Sequence, residues 1–299
     1  MKIARTVAEV RDSVGSAQSS GARVGFVPTM GFLHEGHLSL IDRARSEGCD
    51  FLVVSIFVNP TQFAPGEDLD RYPRDEERDI QLLEARDVDL LFLPSVSEIY
   101  PEGSATSVHV AGVAEPLEGE RRPGHFDGVA TVVLKLFNIV RPDVAVFGQK
   151  DAQQCAVIRQ MVRDLDVPVT LVIGETVREG DGLAMSSRNV YLSEEQRKLA
   201  RVLRRALERG VASLRSGAGG PRAVEAAMAA EVDGRDGIQV DYLKLVDPET
   251  FREPADLERP LLLAGAVRLG ATRLIDNIPV PLSSTRRTAP GESLHTTAV

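Results

Sequence analysis

Residues 51–58, FLVVSIFV, form an unbroken apolar, β-branched-rich run too continuous for a strand with one wet face. Such a run is buried on both faces, which requires a parallel sheet covered by helices. Its flanks agree. Residues 23–28 are a short apolar run ending at Pro28, and 36–48 sets Leu38, Ile41 and Ala44 at helical spacing, so strand, helix and strand close a βαβ unit. The alternation continues with a helix over 75–86, a strand at 89–94, a further strand at 107–113, a helix at 129–140, a strand at 144–147, a helix at 152–164 and a strand at 169–173. The pattern predicts an α/β fold: a Rossmann-like, mostly parallel sheet over residues 1–182.

The texture then changes. Ser193 opens a long Arg- and Ala-rich helix with a capping-box-like start, 215–221 is a Gly-rich break, 223–232 is helical, 240–246 alternates as a strand, and 259–276 holds two apolar runs that predict an antiparallel pair. Residues 183–282 therefore read as a smaller α+β domain. Residues 283–299 offer almost nothing to bury and read as a disordered tail. A length of 299 residues fits two domains at about 150 each.

Composition narrows the function classes. Lys plus Arg is 35 and Asp plus Glu is 44, a net charge of −9 that repels a polyphosphate duplex, so a nucleic-acid partner is not expected. No apolar run approaches the roughly 20 residues of a membrane span, and the charged first dozen residues leave no room for a signal peptide's apolar stretch, so a cytoplasmic protein is expected. Cys49 and Cys155 have no CxxC neighbour and read as core thiols.

The chemistry-bearing segments follow strands, at the sheet edge where open α/β folds bind ligands. In Pro28-Thr-Met-Gly-Phe-Leu-His-Glu-Gly-His37, His34 and His37 lie one helical turn apart beside the N–H groups of the next helix, a place that attracts phosphate. With His109 expected in a strand, His125 in a separate loop and His295 in the tail, a zinc site is disfavoured. Gly148-Gln-Lys-Asp-Ala-Gln-Gln154 offers Lys150 as a point charge, Asp151 as a helix cap or ribose ligand, and Gln154 one turn on. Asp181-Gly-Leu-Ala-Met-Ser-Ser-Arg-Asn189 offers two hydroxyls and a guanidinium for charge developing on phosphate oxygens, and Gly180 and Gly182 at its start suggest mobility. Asn59-Pro-Thr-Gln-Phe63 presents Gln62 at the same edge. Arg121 and Arg122 precede a helix, and the acidic stretches 67–70 and 75–77 read as solvated faces. No Walker A, GxGxxG, GxSxG or HExxH motif is present.

Together with Arg-Pro-Gly-His-Phe at 122–126, these segments, in order and spacing, resemble the pantothenate synthetase family of pantoate–β-alanine ligases, an adenylate-forming branch of the nucleotidyltransferase-like α/β superfamily. The resemblance runs from the first strand to about Asn277. It implies condensation of (R)-pantoate with β-alanine through a pantoyl adenylate, driven by magnesium ATP, giving pantothenate, AMP and pyrophosphate in a homodimer. By that likeness Met30, Gly31, Phe32, Leu33, His34, Glu35, Gly36 and His37 line ATP, with His37 as proton donor; Gly148, Gln149, Lys150, Asp151, Val177, Met185, Ser186, Ser187 and Arg188 complete the nucleotide site. His34, His37, Lys150 and Arg188 carry the catalysis, and Gln62 and Gln154 bind pantoate, Gln62 also contributing to the β-alanine site. The magnesium ligands stay unassigned. Many relatives have Glu where this chain has Gln149, so only a role that needs no charge carries over. A carboxylate attacking phosphorus needs alignment and charge stabilisation rather than a protein nucleophile. An adenylate also gains from a closing lid, for which the 177–189 segment or the second domain is the candidate. The rival readings are a nucleotidylyltransferase, which predicts a shorter chain, a silent nucleotide-binding module, and an aminoacyl-tRNA synthetase, which lacks a basic RNA-binding region here.

Overall fold

The computed structural model describes residues 1–281; the tail expected at 283–299, with His295, lies outside them. The chain opens with β1 (Lys2–Ala4) and α1 (Val7–Ser19), then β2 (Val24–Thr29), α2 (Glu35–Ser46), β3 (Phe51–Ile56), α3 (Glu76–Glu84) and β4 (Leu90–Phe92). Two short helices, α4 (Val96–Ile99) and α5 (Glu118–Arg121), lead to α6 (His125–Val140), β5 (Val144–Gly148), α7 (Ala152–Asp164) and β6 (Thr170–Gly174). The six strands form one sheet in the order β1-β4-β3-β2-β5-β6, every neighbouring pair parallel. The remaining elements are α8 (Glu194–Arg215), α9 (Pro221–Val232), β7 (Gln239–Val246), β8 (Leu261–Leu269) and β9 (Thr272–Val280), the three strands making a separate antiparallel sheet in that order.

The parallel sheet is covered on both sides, as the unbroken apolar runs require. Phe26, Val53, Phe92 and Phe147 pack against α1, α6 and α7 on one face; Val27, Val54, Leu91 and Val146 pack with Leu38, Ile41 and Leu83 on the other. A second core joins α8 and α9 to the small sheet through Leu203, Leu207, Met228 and Leu263. From β2 the chain winds outward through β3 to β4, which lies against the edge strand β1, and returns on the other side of β2 with β5 and β6. The switch between β2 and β5 opens a crevice at the carboxyl ends of the central strands.

Three expectations need correction. Residues 107–113 form no strand: Val108 N–H donates to Thr131 Oγ1 on α6, and the segment has no ladder partner. His109 is accordingly outside any strand, paired with Asp127. His125 is not in a separate loop but is the first residue of α6. β1 and α1 escape the periodicity reading because β1 is a three-residue edge strand and α1 fully buries only Val10 and Val14.

Candidate active site

A cavity of about 220 Å³ fills the crevice, walled by the loops that follow β2, β3, β5 and β6 and by the N-terminal half of α6. It runs into a second cavity of about 460 Å³ between the two sheets; Arg122, Lys150, Asp151, Ser186 and Arg188 line both.

The first wall is the turn from β2 into α2. Gly31 has φ +79, and a Cβ there would lie 2.8 Å from Ile56 Cγ2, so only glycine fits. Phe32 is held at φ +50, uncommon for a side chain, and the cost is offset by Asp79 of α3, whose buried carboxylate accepts from the Phe32 and Leu33 N–H groups at 2.7 Å each. His34 is the N-cap of α2. Its Nδ1 accepts from Gly36 N–H at 3.1 Å, while His37 Nδ1 accepts from His34 N–H at 3.3 Å, a reciprocal cap made of two imidazoles. Because each Nδ1 accepts, each proton sits on Nε2. The rings stack tilted at 4.1 Å. Burial, then Lys150, lowers the His34 pKa to about 4; burial, then the His34 and Lys150 charges, holds His37 well below its usual range. Both rings are therefore neutral Nε2–H donors at neutral pH.

The second wall follows β3. Asn59, 1% exposed, accepts from Tyr100 Oη at 2.9 Å and Thr61 Oγ1 at 3.0 Å, which turns its amide so that Nδ2 donates to Gln62 Oε1 and to Gly128 O, each at 3.1 Å. Gln62 must then show its NH2 group to the cavity, where Met30 Sδ lies 3.1 Å away. Its carbonyl accepts from His125 Nδ1 at 2.8 Å, and Arg122 Nη1 lies 3.0 Å from His125 Nε2. Burial, then the Arg122 charge, lowers the His125 pKa to about 4.

The third and fourth walls follow β5 and β6. Lys150 stands in a tight turn with its Nζ 3.5 Å from Asp151 Oδ1; Asp151 makes no side-chain cap bond, so the cap reading gives way to an open carboxylate in the cavity. Residues 177–185 form a small hairpin tied by Met185 N–H to Val177 O at 3.0 Å and braced by the Arg178–Asp276 and Arg197–Asp181 pairs. Of the two hydroxyls expected as donors, Ser187 Oγ is engaged, donating to Phe32 O, while Ser186 Oγ caps the turn by accepting from Arg188 N–H and keeps its own proton to donate.

The acidic stretch 67–70 is not a solvated face. Glu67 takes Arg122 in a bidentate pair at 2.7 Å, and Asp68 takes Arg188 at 2.7 and 2.9 Å, Arg188 also lying over the Tyr72 ring at 5.3 Å. Burial alone would raise the Asp68 carboxyl; the Arg188 guanidinium overrides it and holds it low.

Of the residues singled out from sequence, Met30, His34, Gly36, His37, Gln62, Gly148, Lys150, Asp151, Gln154, Val177, Met185, Ser186, Ser187 and Arg188 line the cavity. Gly31, Phe32 and Leu33 stand behind its wall; Glu35 points to Arg86 on the surface at 3.1 Å; Gln149 turns to Asn277. Sequence reasoning missed Asn59, Asp79 and Tyr72 as framing residues, and the Thr176 hydroxyl, which lines the cavity without a hydrogen-bond partner. For Asp79 and Tyr72 the signal is tertiary, since each meets a group far along the chain, and Asn59 owes its orientation to Tyr100 and Gly128 on other elements.

A cavity across the carboxyl ends of two central parallel strands, furnished with neutral N–H donors at a helix start and with lysine and arginine, defines an α/β protein built to hold a phosphorylated ligand. The comparisons carry this to a family. The family model for pantoate-beta-alanine ligase matches residues 2–279, and the chain belongs to that family. It is 53% identical over 279 residues to the pantothenate synthetase of Herpetosiphon aurantiacus, covering 93% of this chain and 99% of that one, and 53% identical over 278 residues to that of Brucella anthropi, covering 93% and 96%. It superposes on the crystal structure of pantothenate synthetase from Thermus thermophilus with TM-score 0.88 at 50% identity, over 93% of this chain and 99% of that one. For the Francisella tularensis pantoate-beta-alanine ligase complexed with beta-gamma ATP and beta-alanine, the TM-score is 0.72 at 36% identity, over 93% and 97%.

Proposed function

We propose that this chain condenses (R)-pantoate with β-alanine at the expense of ATP, releasing AMP and pyrophosphate through a pantoyl adenylate. The observation that carries the reading is the meeting, in one cavity of a member of this family, of two neutral imidazole donors, Lys150 and an oriented Gln62. In the first step a pantoate carboxylate oxygen attacks the α-phosphorus and pyrophosphate leaves. His34 and His37 donate Nε2–H to phosphate oxygens as fixed dipoles, and Lys150 and Arg188 supply positive charge where negative charge grows. His37 here acts by hydrogen bonding, since the remaining N–H of a neutral imidazole is far too weak an acid to be given up near neutral pH. In the second step the β-alanine amine attacks the acyl carbon and AMP leaves. Gln62, turned by Asn59, gives its NH2 to pantoate, with Gln154 lining the same cavity; in this reading Asp151 takes a ribose hydroxyl, and Val177 and Met185 wall the base.

Among the described residues no group of three or more His, Cys, Asp or Glu could hold a metal ion, so magnesium belongs to this reading as an ion carried on the triphosphate, the form in which it binds with few protein ligands. No described helix is long and apolar enough to cross a membrane. The two free, buried cysteines suit a reducing compartment such as the cytoplasm, and the likeness to the family implies a homodimer.

The test uses ATP labelled at the α-phosphate, with magnesium, pantoate and β-alanine supplied singly and together. Steady labelled AMP is expected only with both acids. Label transferred to a phosphorylated acceptor instead of released as AMP would overturn the ligase reading in favour of a nucleotidylyltransferase.

A further inference from the structure

The small sheet reaches into the cavity wall through adjacent residues of β9. Asn277, 4% exposed, donates from Nδ2 to the carbonyl oxygens of Gln149 and Lys150, both at 2.9 Å. Only an NH2 group can meet two carbonyls at once, so the amide orientation is settled and Oδ1 faces Gln149, whose Nε2 donates to it at 3.0 Å. Asp276, equally buried, accepts from the Asn277 N–H at 2.8 Å and takes both terminal nitrogens of Arg178 at 2.7 and 2.9 Å. Arg178 in turn donates to Gly182 O across the hairpin that carries Val177 and Met185. One dipeptide of the second sheet thus fastens the two loops that follow β5 and β6, which carry Lys150 on one side and Val177 on the other.

We infer that Asn277 is a positioning residue: it fixes the Gln149–Lys150 turn and so places the Lys150 ammonium on the phosphates. The inference rests on the role given to Lys150 above and adds a residue that touches no substrate. It also explains why an uncharged Gln149 serves here. The side chain is used as a donor to Asn277 and not as a charge in the cavity. A misplacement of about 1 Å at a phosphate-contacting group costs on the order of a hundredfold in rate, so a turn with a three-bond clamp is where such precision is kept.

The test is a double-mutant cycle on the full chain. Asn277→Ala should lower kcat and raise KM for ATP for a combined loss of at least tenfold in kcat/KM, while KM for β-alanine stays within twofold. Asn277→Asp fills the same space but turns an oxygen toward two carbonyls, so its loss should equal or exceed that of alanine; a merely space-filling Asn277 predicts an aspartate variant near wild type and is thereby distinguished. In a Lys150→Ala background the Asn277→Ala change should cost less than twofold. Equal losses in the presence and absence of Lys150 overturn the inference. Should the alanine variant lose its fold by circular dichroism, Asn277→Ser, which keeps one donor, enters the same cycle. Lys150→Ala alone separates the two levels. If it retains full rate, the role of Lys150 falls and the clamp with it; if it is impaired and the losses still multiply, the clamp alone falls.

Discussion

At the scale of the residue, the site works by charge held back. His34 and His37 use Nδ1 to cap α2, and burial keeps both rings neutral, so each offers a donor without a cation. The rate should therefore show no inflection from these rings as pH falls from 8 to 6, and the His34 contribution should fail only near pH 4; a pH–kcat/KM profile checks this, and an inflection near 6.5 that vanishes in His34→Asn would contradict it. The same groups act on stability. Their folded pKa lies below the unfolded value of 6.5, so between about 4 and 6.5 the unfolded chain binds more protons and stability is lost as pH falls through that window. Urea midpoints should drop from pH 7 to 4.5, and His34→Asn, which keeps a cap acceptor, should drop less. The pairing of the two histidines was legible because a spacing of three is a local rule. Their protonation was not, because the burial comes from other elements, and neither was the Asp68–Arg188 pair, whose partners are 120 residues apart.

At the scale of the element, the loops of the site are placed by close packing. α6 approaches the turn after β3 so nearly that a Cβ on Gly128 would lie 2.5 Å from Thr61 O and 2.7 Å from Gln62 N. Gly128→Ala must push that turn, and with it the Asn59–Gln62 pair. It should cost about 1–3 kcal/mol in stability and raise KM for pantoate more than KM for ATP; steady-state kinetics and thermal melting check it, and a selective rise for ATP would contradict it. The parallel strands were legible because burial on both faces writes itself as unbroken apolar runs. The alternation at 107–113 misled because a chain lying along a helix also buries every second side chain, and nothing local says that a ladder partner is missing.

At the scale of the whole molecule, the two sheets are joined by a polar latch. Glu118 on α5 accepts both Arg273 terminal nitrogens at 2.6 and 2.7 Å and the Tyr242 hydroxyl at 2.7 Å, while Arg273 Nε and Arg268 Nε share Asp241. Burial opposes ionisation of Glu118, and Arg273 overrides it, so the carboxylate stays low. Removing one partner of such a pair costs roughly 3–5 kcal/mol. Glu118→Ala should lower the melting temperature and speed hydrogen exchange in β7 to β9 before the parallel sheet responds; unchanged exchange there would show that the apolar contacts of Val246, Phe251 and Leu262 hold the sheets together without it. A second, antiparallel sheet was legible from the change of texture beyond residue 182, but this latch was not, since each of its bonds joins distant segments. The carboxylates on Arg122 and Arg188 have a wider consequence. They are counter-ions fixed by the fold, each in a bidentate pair with its guanidinium. An anion entering the cavity therefore meets guanidinium charge that is already partly compensated, so its capture has to compete with carboxylates the protein itself supplies.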